Sequence, residues 1–172
     1  SWDALVEEVT ARGLWGIENL AGIPGTVGAG PVQNIGAYGA ELKDAFVSCE
    51  VFDSTQGTTM TMQREDCQFG YRDSIFKHNK HLIILSVTLS VSATGTPKIS
   101  YGDLQKALQQ GVDLSSPIAI ARAVRDIRSK KFPNLQVYGT AGSFFKNPIL
   151  SVAAYDALVA QYGEIPQYPH AN

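Results

Sequence analysis

One segment, Gly16–Gly39, constrains the fold of this chain more than any other. It holds seven of the 16 glycines, contains no lysine, arginine or aspartate, and has Glu18 as its only charged residue. Glycine inside a helix or strand costs about 0.5–1 kcal/mol relative to alanine, so a regular buried element is disfavoured. The composition therefore predicts a bare backbone surface for a large, flat and partly anionic ligand, with a nucleotide cofactor as the leading candidate. A tightly packed turn between two helices is the alternative.

Length and composition limit the class of protein. The chain has 172 residues, 44% of them hydrophobic and 17% charged, which suits one domain or a large piece of a bigger protein. Its net charge of −2 argues against nucleic acid or an anionic membrane as the main partner. No uncharged apolar run reaches the roughly 18 residues of a transmembrane helix. The two cysteines and three histidines lack metal-ligand spacing, so we expect no metal site and a reducing cytoplasm.

The alternation of apolar and polar residues predicts three antiparallel strands. The one-sided pattern favours a sheet with one solvated face. In the first strand we expect Val47, Cys49 and Val51 to share the buried face. The predicted strands, of which the first two are joined by a turn, cover residues 46–53, 58–62 and 82–91.

Helical periodicity predicts helices around this sheet and hence an α+β fold, with a mainly antiparallel sheet and flanking helices. Ser116-Pro117 opens the longest helix, and we interpret most of its basic residues as a solvated face that complements the helix dipole. Within the glycine-rich segment we expect two short helical turns, from about Thr26 and from about Ile35. The remaining predictions are helices over residues 2–12 and 103–110, a short strand within 139–148, and a final helix between Ser151 and Gly163.

Three residues outside the glycine-rich segment are candidates for chemistry. Arg72 could stabilise an anion or an enolate, and pairing with Asp73 or another carboxylate is an equal alternative. Ser143 follows Gly-x-x-Gly and precedes two aromatic residues, so it could donate a proton. From the pattern alone, a turn serine bonded to local backbone is the favoured interpretation. Lys131 could contact a phosphate, although an exposed lysine is usually just solvated.

Three long motifs follow one another along the chain: Gly-Ile-Glu-Asn-Leu-Ala-Gly-Ile-Pro-Gly-Thr-Val-Gly-Ala-Gly-Pro-Val-Gln-Asn-Ile-Gly-Ala-Tyr-Gly, Phe-Gly-Tyr-Arg-Asp-Ser-Ile-Phe-Lys, and Ala-Gly-Ser-Phe-Phe-Lys-Asn-Pro. In this order they closely resemble the UDP-N-acetylenolpyruvoylglucosamine reductase family, the flavoprotein reductases of bacterial peptidoglycan synthesis. The resemblance runs from about Leu14 to the end. It implies the second FAD-binding lobe of a vanillyl-alcohol-oxidase-like flavoprotein over residues 1–138, and the beginning of the substrate-binding domain over residues 139–172.

The resemblance implies FAD as the cofactor and NADPH as the reductant. In the family the Ile-Pro-Gly-Thr-Val-Gly loop carries much of the FAD contact, which agrees with the physical interpretation of the glycine-rich segment. The implied FAD-binding residues of this chain are Ile23, Pro24, Gly25, Thr26, Gly28, Ala29, Val32 and Gly36.

The resemblance also implies catalytic and substrate-binding roles. Arg72 falls on the active-site arginine of the family, and Ser143 falls on its proton donor. A carbanion is basic enough to take a proton from a hydroxyl, so a neutral serine can serve as this acid. Tyr101 resembles a tyrosine on a loop that closes over the nucleotide, and Lys131 resembles a lysine near its diphosphate. The implied substrate-binding residues are Tyr71, Tyr101, Lys131 and Asn147.

The implied reaction is an oxidoreduction of a CH–CH group. NADPH reduces the enolpyruvyl group of UDP-N-acetylglucosamine enolpyruvate, and the product is UDP-N-acetylmuramate. This role implies a cytoplasmic protein of cell wall biogenesis, and through it of cell shape and cell division. The implied partner is the UDP-sugar substrate, with no nucleic acid and no membrane, and we expect a monomer.

The chain departs from the family pattern in three places. Thr140 replaces the asparagine of the usual Gly-Asn-Ala-Gly-Ser, and both the N-terminal Gly-Gly-Gly-Ser-Asn segment and the C-terminal glutamate are absent. The chain also lacks an initiator methionine, so we expect an incomplete, inactive piece of a longer reductase. One alternative is a non-catalytic nucleotide-binding or scaffolding domain that keeps the fold. Another is a flavin oxidase acting on a different alcohol, against which the Ser-Phe-Phe-Lys-Asn motif argues.

Overall fold

A computed structural model of the chain describes residues 1–134, 137–139 and 144–168. It divides into two compact units, residues 1–138 and residues 139–172. The part of a flavoprotein that each unit represents stays a prediction.

The first unit combines two antiparallel sheets with five helices. The larger sheet has the strand order β4-β3-β5, and the smaller is the hairpin β1-β2. The strands are β1 (Gly36–Ala37), β2 (Ala40–Glu41), β3 (Phe46–Asp53), β4 (Thr58–Gln63) and β5 (Leu82–Leu89). The helices are α1 (Trp2–Ala11), α2 (Leu42–Ala45), α3 (Ile75–His78), α4 (Gly102–Gln109) and α5 (Pro117–Lys131), with short 3-10 helices at Glu18–Leu20 and Pro31–Gln33. The predicted α+β class is confirmed.

The core of this unit joins the sheet, α1, α5 and the glycine-rich segment in one cluster of buried side chains. Both α1 and α5 contribute side chains to this core, because the local sequence sets where each helix begins and gives it an apolar face. The hydroxyl of Ser116 accepts a hydrogen bond from the amide of Ala119 and so caps α5. Along α5, Ile120 and Val124 lie on the same side and are fully buried. The predicted helix at Ser116-Pro117 is therefore confirmed.

The predicted inward face of β3 is wrong at one residue. Cys49 and Val51 are buried as expected, whereas Val47 is 41% exposed and the neighbouring Phe46 is buried. The β3–β5 register is irregular between Phe46 and Ser48. A bulge moves one residue to the other face of a strand, and a regular period of two contains no signal for it.

The prediction of a short helical turn from about Ile35 is also wrong, whereas i→i+3 turns do begin at Thr26. Residues 26–30 form hydrogen-bonded turns, in which the amide of Ala29 donates to the carbonyl of Thr26. Asn34 adopts a left-handed backbone with φ of 44°, which ends the 3-10 helix. Directly after it, Ile35 leads into the β1-β2 hairpin, in which Gly36 pairs with Glu41. This hairpin places the backbone of Gly36 beside the segment that carries Arg72.

The described part of the second unit is built around α6 (Val152–Tyr162). Ser151 caps this helix by accepting from the amide of Ala154, and Gly163 ends it with φ of 82°, as predicted. None of the α6 side chains is buried. Residues 144–148 contain no strand, contrary to the prediction, and residues 140–143 lie outside the described residues.

Candidate functional site

The glycine-rich segment is anchored by α1 and α5. A carboxylate oxygen of Asp3 accepts from the amide of Gly22 at 2.6 Å, and the carbonyl of Gly22 accepts from Nε of Arg128 at 3.0 Å. Asp3 also pairs with Arg125, at 3.0 Å between Nη2 and Oδ1. Arg125 and Arg128 of α5 are thus half-buried and bind Asp3 and Gly22. For these two residues, the interpretation as a solvated face is wrong. Local sequence patterns could not predict these contacts, because Asp3 and Arg125 are 122 residues apart.

Glu18, the single charged residue of the segment, serves the backbone. It is buried, and Oε2 accepts from the amide of Gly16 at 2.6 Å. Gly16 has φ of 133°, a conformation that other residues rarely adopt. The charge therefore stabilises a turn inside the segment.

The eight predicted FAD-binding residues lie between buried residues of the segment. Ala21, Gly30 and Asn34 are buried. A Cβ added at Gly25 would meet no atom within 4 Å, and φ of 116° there favours glycine. The predicted residues Ile23, Pro24, Gly25, Thr26, Gly28, Ala29, Val32 and Gly36 are all exposed or half-buried. The segment therefore presents an accessible, mostly bare backbone, and its contact with FAD stays a prediction.

Arg72 lies against the glycine-rich segment. Its Nη2 donates to the carbonyl of Gly36 at 2.5 Å, and its guanidinium carbon is 5.3 Å from the ring centroid of Tyr71. Nη1 lies 3.6 Å from Oε1 of Glu41, which is a loose ion pair. The alternative interpretation, pairing with Asp73 or another carboxylate, is thus met by Glu41, whereas Asp73 pairs with His78 at 2.9 Å. A Cβ added at Gly36 would lie 2.5 Å from Nη1 of Arg72, so only glycine admits this arrangement.

A buried asparagine connects the segments around Arg72, and sequence reasoning missed it. Asn34 is fully buried, and its Nδ2 donates both to Oε2 of Glu41 at 3.0 Å and to the carbonyl of Gly70 at 2.9 Å. Its Oδ1 accepts from the amide of Lys43 at 3.0 Å. Both donors and one of the two acceptor positions are used, so Asn34 ties the glycine-rich segment to the loop before Arg72. The left-handed φ of Asn34 could have been anticipated, since asparagine tolerates it.

A second cluster contains two of the predicted substrate-binding residues, Tyr101 and Lys131. The rings of Tyr101 and Tyr38 meet edge to face, with centroids 5.2 Å apart. Nζ of Lys131 is 2.5 Å from Oδ2 of Asp103, and this bond raises the pKa of the Lys131 ammonium. Burial raises the pKa of the Tyr38 phenol, while the positive charges of Arg128 and Lys131 act in the opposite direction. The cluster groups aromatic hydroxyls with cationic side chains, a combination that suits phosphate.

The other predicted site residues belong to the second unit. Ser143, the predicted proton donor, lies outside the described residues, as does Thr140. Asn147 is described and exposed. The chemical environment of Ser143 therefore stays a prediction.

A search of the described residues finds no group of three or more His, Cys, Asp or Glu side chains that could hold a metal ion. Both cysteines, Cys49 and Cys67, are buried and reduced. Within the same residues, no helix combines the length and the apolar character needed to cross a membrane.

Comparison with protein families matches residues 1–63 to a family described as FAD binding domain. The match covers α1, the glycine-rich segment and the β3-β4 hairpin. It supports FAD as the cofactor.

Comparison with whole proteins extends the similarity to the entire chain. The chain is 44% identical, over its full length, to UDP-N-acetylenolpyruvoylglucosamine reductase from Chromobacterium violaceum, and covers 52% of that protein. It is 45% identical to the Vibrio parahaemolyticus protein of the same name, over 98% of this chain and 48% of that one. The chain therefore spans about half the length of the curated relatives it matches.

Comparison with solved structures finds a protein of the same kind. The crystal structure of UDP-N-acetylenolpyruvylglucosamine reductase from Thermus caldophilus aligns with a TM-score of 0.53 and 29% identity. The alignment covers 76% of this chain and 41% of that chain.

Proposed function

Because the chain belongs to the UDP-N-acetylenolpyruvoylglucosamine reductase family, we propose that it is part of a cytoplasmic reductase of peptidoglycan precursor synthesis. In this proposal NADPH is the reductant, and the enolpyruvyl group of UDP-N-acetylglucosamine enolpyruvate is reduced to give UDP-N-acetylmuramate. The observation that carries the proposal is the position of Arg72, which is bonded to Gly36 within the segment that resembles the FAD-binding loop. A cation at this place can serve a reaction that builds negative charge beside the flavin.

The residues of the glycine-rich segment fit FAD. Gly25 offers open backbone, and the exposed residues around it include no acidic side chain that would repel a diphosphate. Ile23 and Val32 are half-buried apolar side chains of this segment, which supports an apolar contact with an isoalloxazine ring. The chemistry that bound FAD supplies is the relay of a hydride from NADPH to the enolpyruvyl double bond.

The chain's own residues then have separate tasks. Arg72 stabilises the negative charge that develops on the substrate carboxylate, because its guanidinium is permanently protonated and presents two parallel donors. Ser143 Oγ donates a proton to the adjacent carbon. Tyr71 and Asn147 orient the substrate, and Tyr101 and Lys131 bind its diphosphate.

We further propose that the chain alone is inactive and binds FAD weakly. Its relatives are about twice as long. The residues assigned above would contact FAD from one side only. A colourless preparation of the chain supports this statement, whereas a yellow one that retains stoichiometric FAD contradicts it.

A hybrid enzyme tests the function directly. In it, the chain replaces the matched segment of the Chromobacterium violaceum reductase. We expect NADPH to bleach the flavin absorbance of the hybrid and the enolpyruvyl sugar nucleotide to restore it. A flavin that NADPH bleaches and this substrate does not reoxidise contradicts the proposal and favours a non-catalytic nucleotide-binding domain.

The role of Ser143 is separable in the same hybrid. Ser143→Ala should leave bleaching by NADPH nearly unchanged and slow reoxidation by the substrate by about 10²–10⁴-fold, the usual contribution of a positioned proton donor. Equal losses in both half-reactions would show that Ser143 has a structural role instead.

A further inference from the structure

The cluster of Tyr38, Tyr101 and Lys131 contains an acidic residue with no assigned role, Asp103. Asp103 lies in the first turn of α4, two residues after Tyr101, and Lys131 is the last residue of α5. The ion pair between Oδ2 of Asp103 and Nζ of Lys131, at 2.5 Å, bridges these two helices. The Asp103 side chain is only 22% exposed, so the carboxylate sits within the cluster rather than in open solvent.

We infer that Asp103 is a positioning residue, which holds Lys131 and Tyr101 as a preformed pair for the diphosphate of a uridine nucleotide. This inference rests on the proposed function, since it assumes that Lys131 and Tyr101 bind the nucleotide. Asp103 itself does not contact the ligand, because a carboxylate would repel a diphosphate.

Pre-positioning of Lys131 is the first part of the argument. A lysine side chain has many rotamers, and immobilising them on binding lowers affinity. The bond to Asp103 immobilises Lys131 before a ligand arrives. An ammonium has three N–H donors, so one bond to Asp103 leaves two for phosphate oxygens.

Pre-positioning of Tyr101 is the second part. The ring of Tyr101 packs against Tyr38, which is buried, and the backbone of Tyr38 is held by Nδ2 of Asn19 at 2.8 Å. The Asp103–Lys131 bond ties the N-terminal turn of α4 to the end of α5. Tyr101 is the residue immediately before that turn, so its position is constrained relative to both Tyr38 and Lys131.

The opposite role for Asp103 makes a different prediction. If the carboxylate competed with phosphate for Lys131, its removal would free the ammonium and strengthen nucleotide binding. The two roles therefore predict changes in affinity of opposite sign.

The chain offers a matched control for this substitution. Lys130 and Asp126 form an ion pair of the same type at 2.7 Å on the exposed surface of α5, one residue before Lys131. Asp126→Asn removes the same charge from an exposed ion pair of α5, one that involves Lys130 rather than Lys131.

Uridine diphosphate titrated into the 172-residue chain and followed by NMR tests the inference, since Tyr38, Tyr101, Asp103 and Lys131 all belong to the first unit. We expect Asp103→Asn to raise the dissociation constant by about 3- to 10-fold, the effect of one newly mobile side chain, and Asp126→Asn to leave it unchanged. In parallel, the NMR titration of the Lys131 ammonium should move to lower pH in Asp103→Asn only.

Tighter binding by Asp103→Asn, or equal effects of the two variants, would overturn the inference. So would a wild-type chain that binds no uridine diphosphate at millimolar concentration. Failure of the proposed function gives a different result: the hybrid enzyme lacks reductase activity while the chain still binds the nucleotide in an Asp103-dependent manner.

Discussion

The two units of the chain differ in how far their large apolar side chains are buried. The first unit buries Trp2, Leu20 and Ile120 almost completely in one core. In the second unit no described residue is buried, and Phe144 and Phe145 are 77% and 85% exposed. A unit of this size cannot bury enough surface to fold strongly by itself. Arg72 and the residues predicted to hold FAD thus belong to a unit with a buried core, whereas the described residues that directly follow Ser143 are exposed.

Hydrogen exchange gives the largest expected difference between the units. In the 172-residue chain, we expect the amides of α5 to exchange at least about 10³-fold more slowly than those of α6, because only α5 is anchored in a core. Both helices have capped N-termini, so capping does not account for the difference. Similar protection of α5 and α6 would show that the second unit has a core of its own.

A change at Gly36 tests whether the first unit fixes Arg72. Gly36→Ala places a Cβ 2.5 Å from Nη1 of Arg72, so the guanidinium must move. In the hybrid enzyme we expect reoxidation by the substrate to slow by about 10- to 100-fold, the effect of a small misplacement of a catalytic group. Gly102→Ala is the control, because its Cβ would meet no atom within 4 Å. Unchanged reoxidation kinetics in Gly36→Ala would show that the reaction does not depend on the position of Arg72.

The anchoring of the glycine-rich segment is tested through stability. Asp3→Ala removes the acceptor for the amide of Gly22 and the partner of Arg125. We expect the free energy of unfolding of the first unit to fall by about 1–3 kcal/mol, measured by urea denaturation. Glu8→Ala, which breaks the exposed pair with Arg12, should cost about 0–1 kcal/mol. If the two variants were equally stable, the segment would not depend on Asp3.

The smallest expected effect is a pH dependence of stability that comes from Asp53, next to the turn after β3. The hydroxyl of Thr55 donates to Oδ1 of Asp53 and, with nearby amides, lowers the pKa of that carboxyl. A carboxyl with a lowered folded-state pKa stabilises the fold above its unfolded pKa of about 3.9, and the gain is lost as pH falls through the folded value. Thr55→Val should therefore destabilise the first unit slightly near neutral pH and less in acid. Thr59→Val, on the neighbouring strand, should show no such pH dependence; an equal pH profile for both would contradict the assignment.

Local signals in the sequence predicted the longer elements of the first unit, because capping at Ser116 and the alternation in β5 act over a few residues. The short elements β1, β2, α2 and α3 were not predicted. The same signals could not predict the bulge that exposes Val47, since a register shift depends on the partner strand. They also missed Asp3, Asn34 and Asp103, whose partners lie elsewhere along the chain. The roles of Arg72 and the FAD-binding residues came from resemblance to a family. From the residues alone, stabilisation of an anion and pairing with a carboxylate are equal interpretations of Arg72.

Arg72→Ala in the hybrid enzyme, followed by rapid-mixing absorbance of the flavin, tests most directly whether the glycine-rich segment presents Arg72 to the reacting substrate. Bleaching by NADPH should continue at the wild-type rate. Reoxidation by the enolpyruvyl sugar nucleotide should slow by about 10²–10³-fold, as for the loss of one preorganised group that stabilises developing charge. Reoxidation at the wild-type rate, or an equal slowing of both half-reactions, would contradict the account.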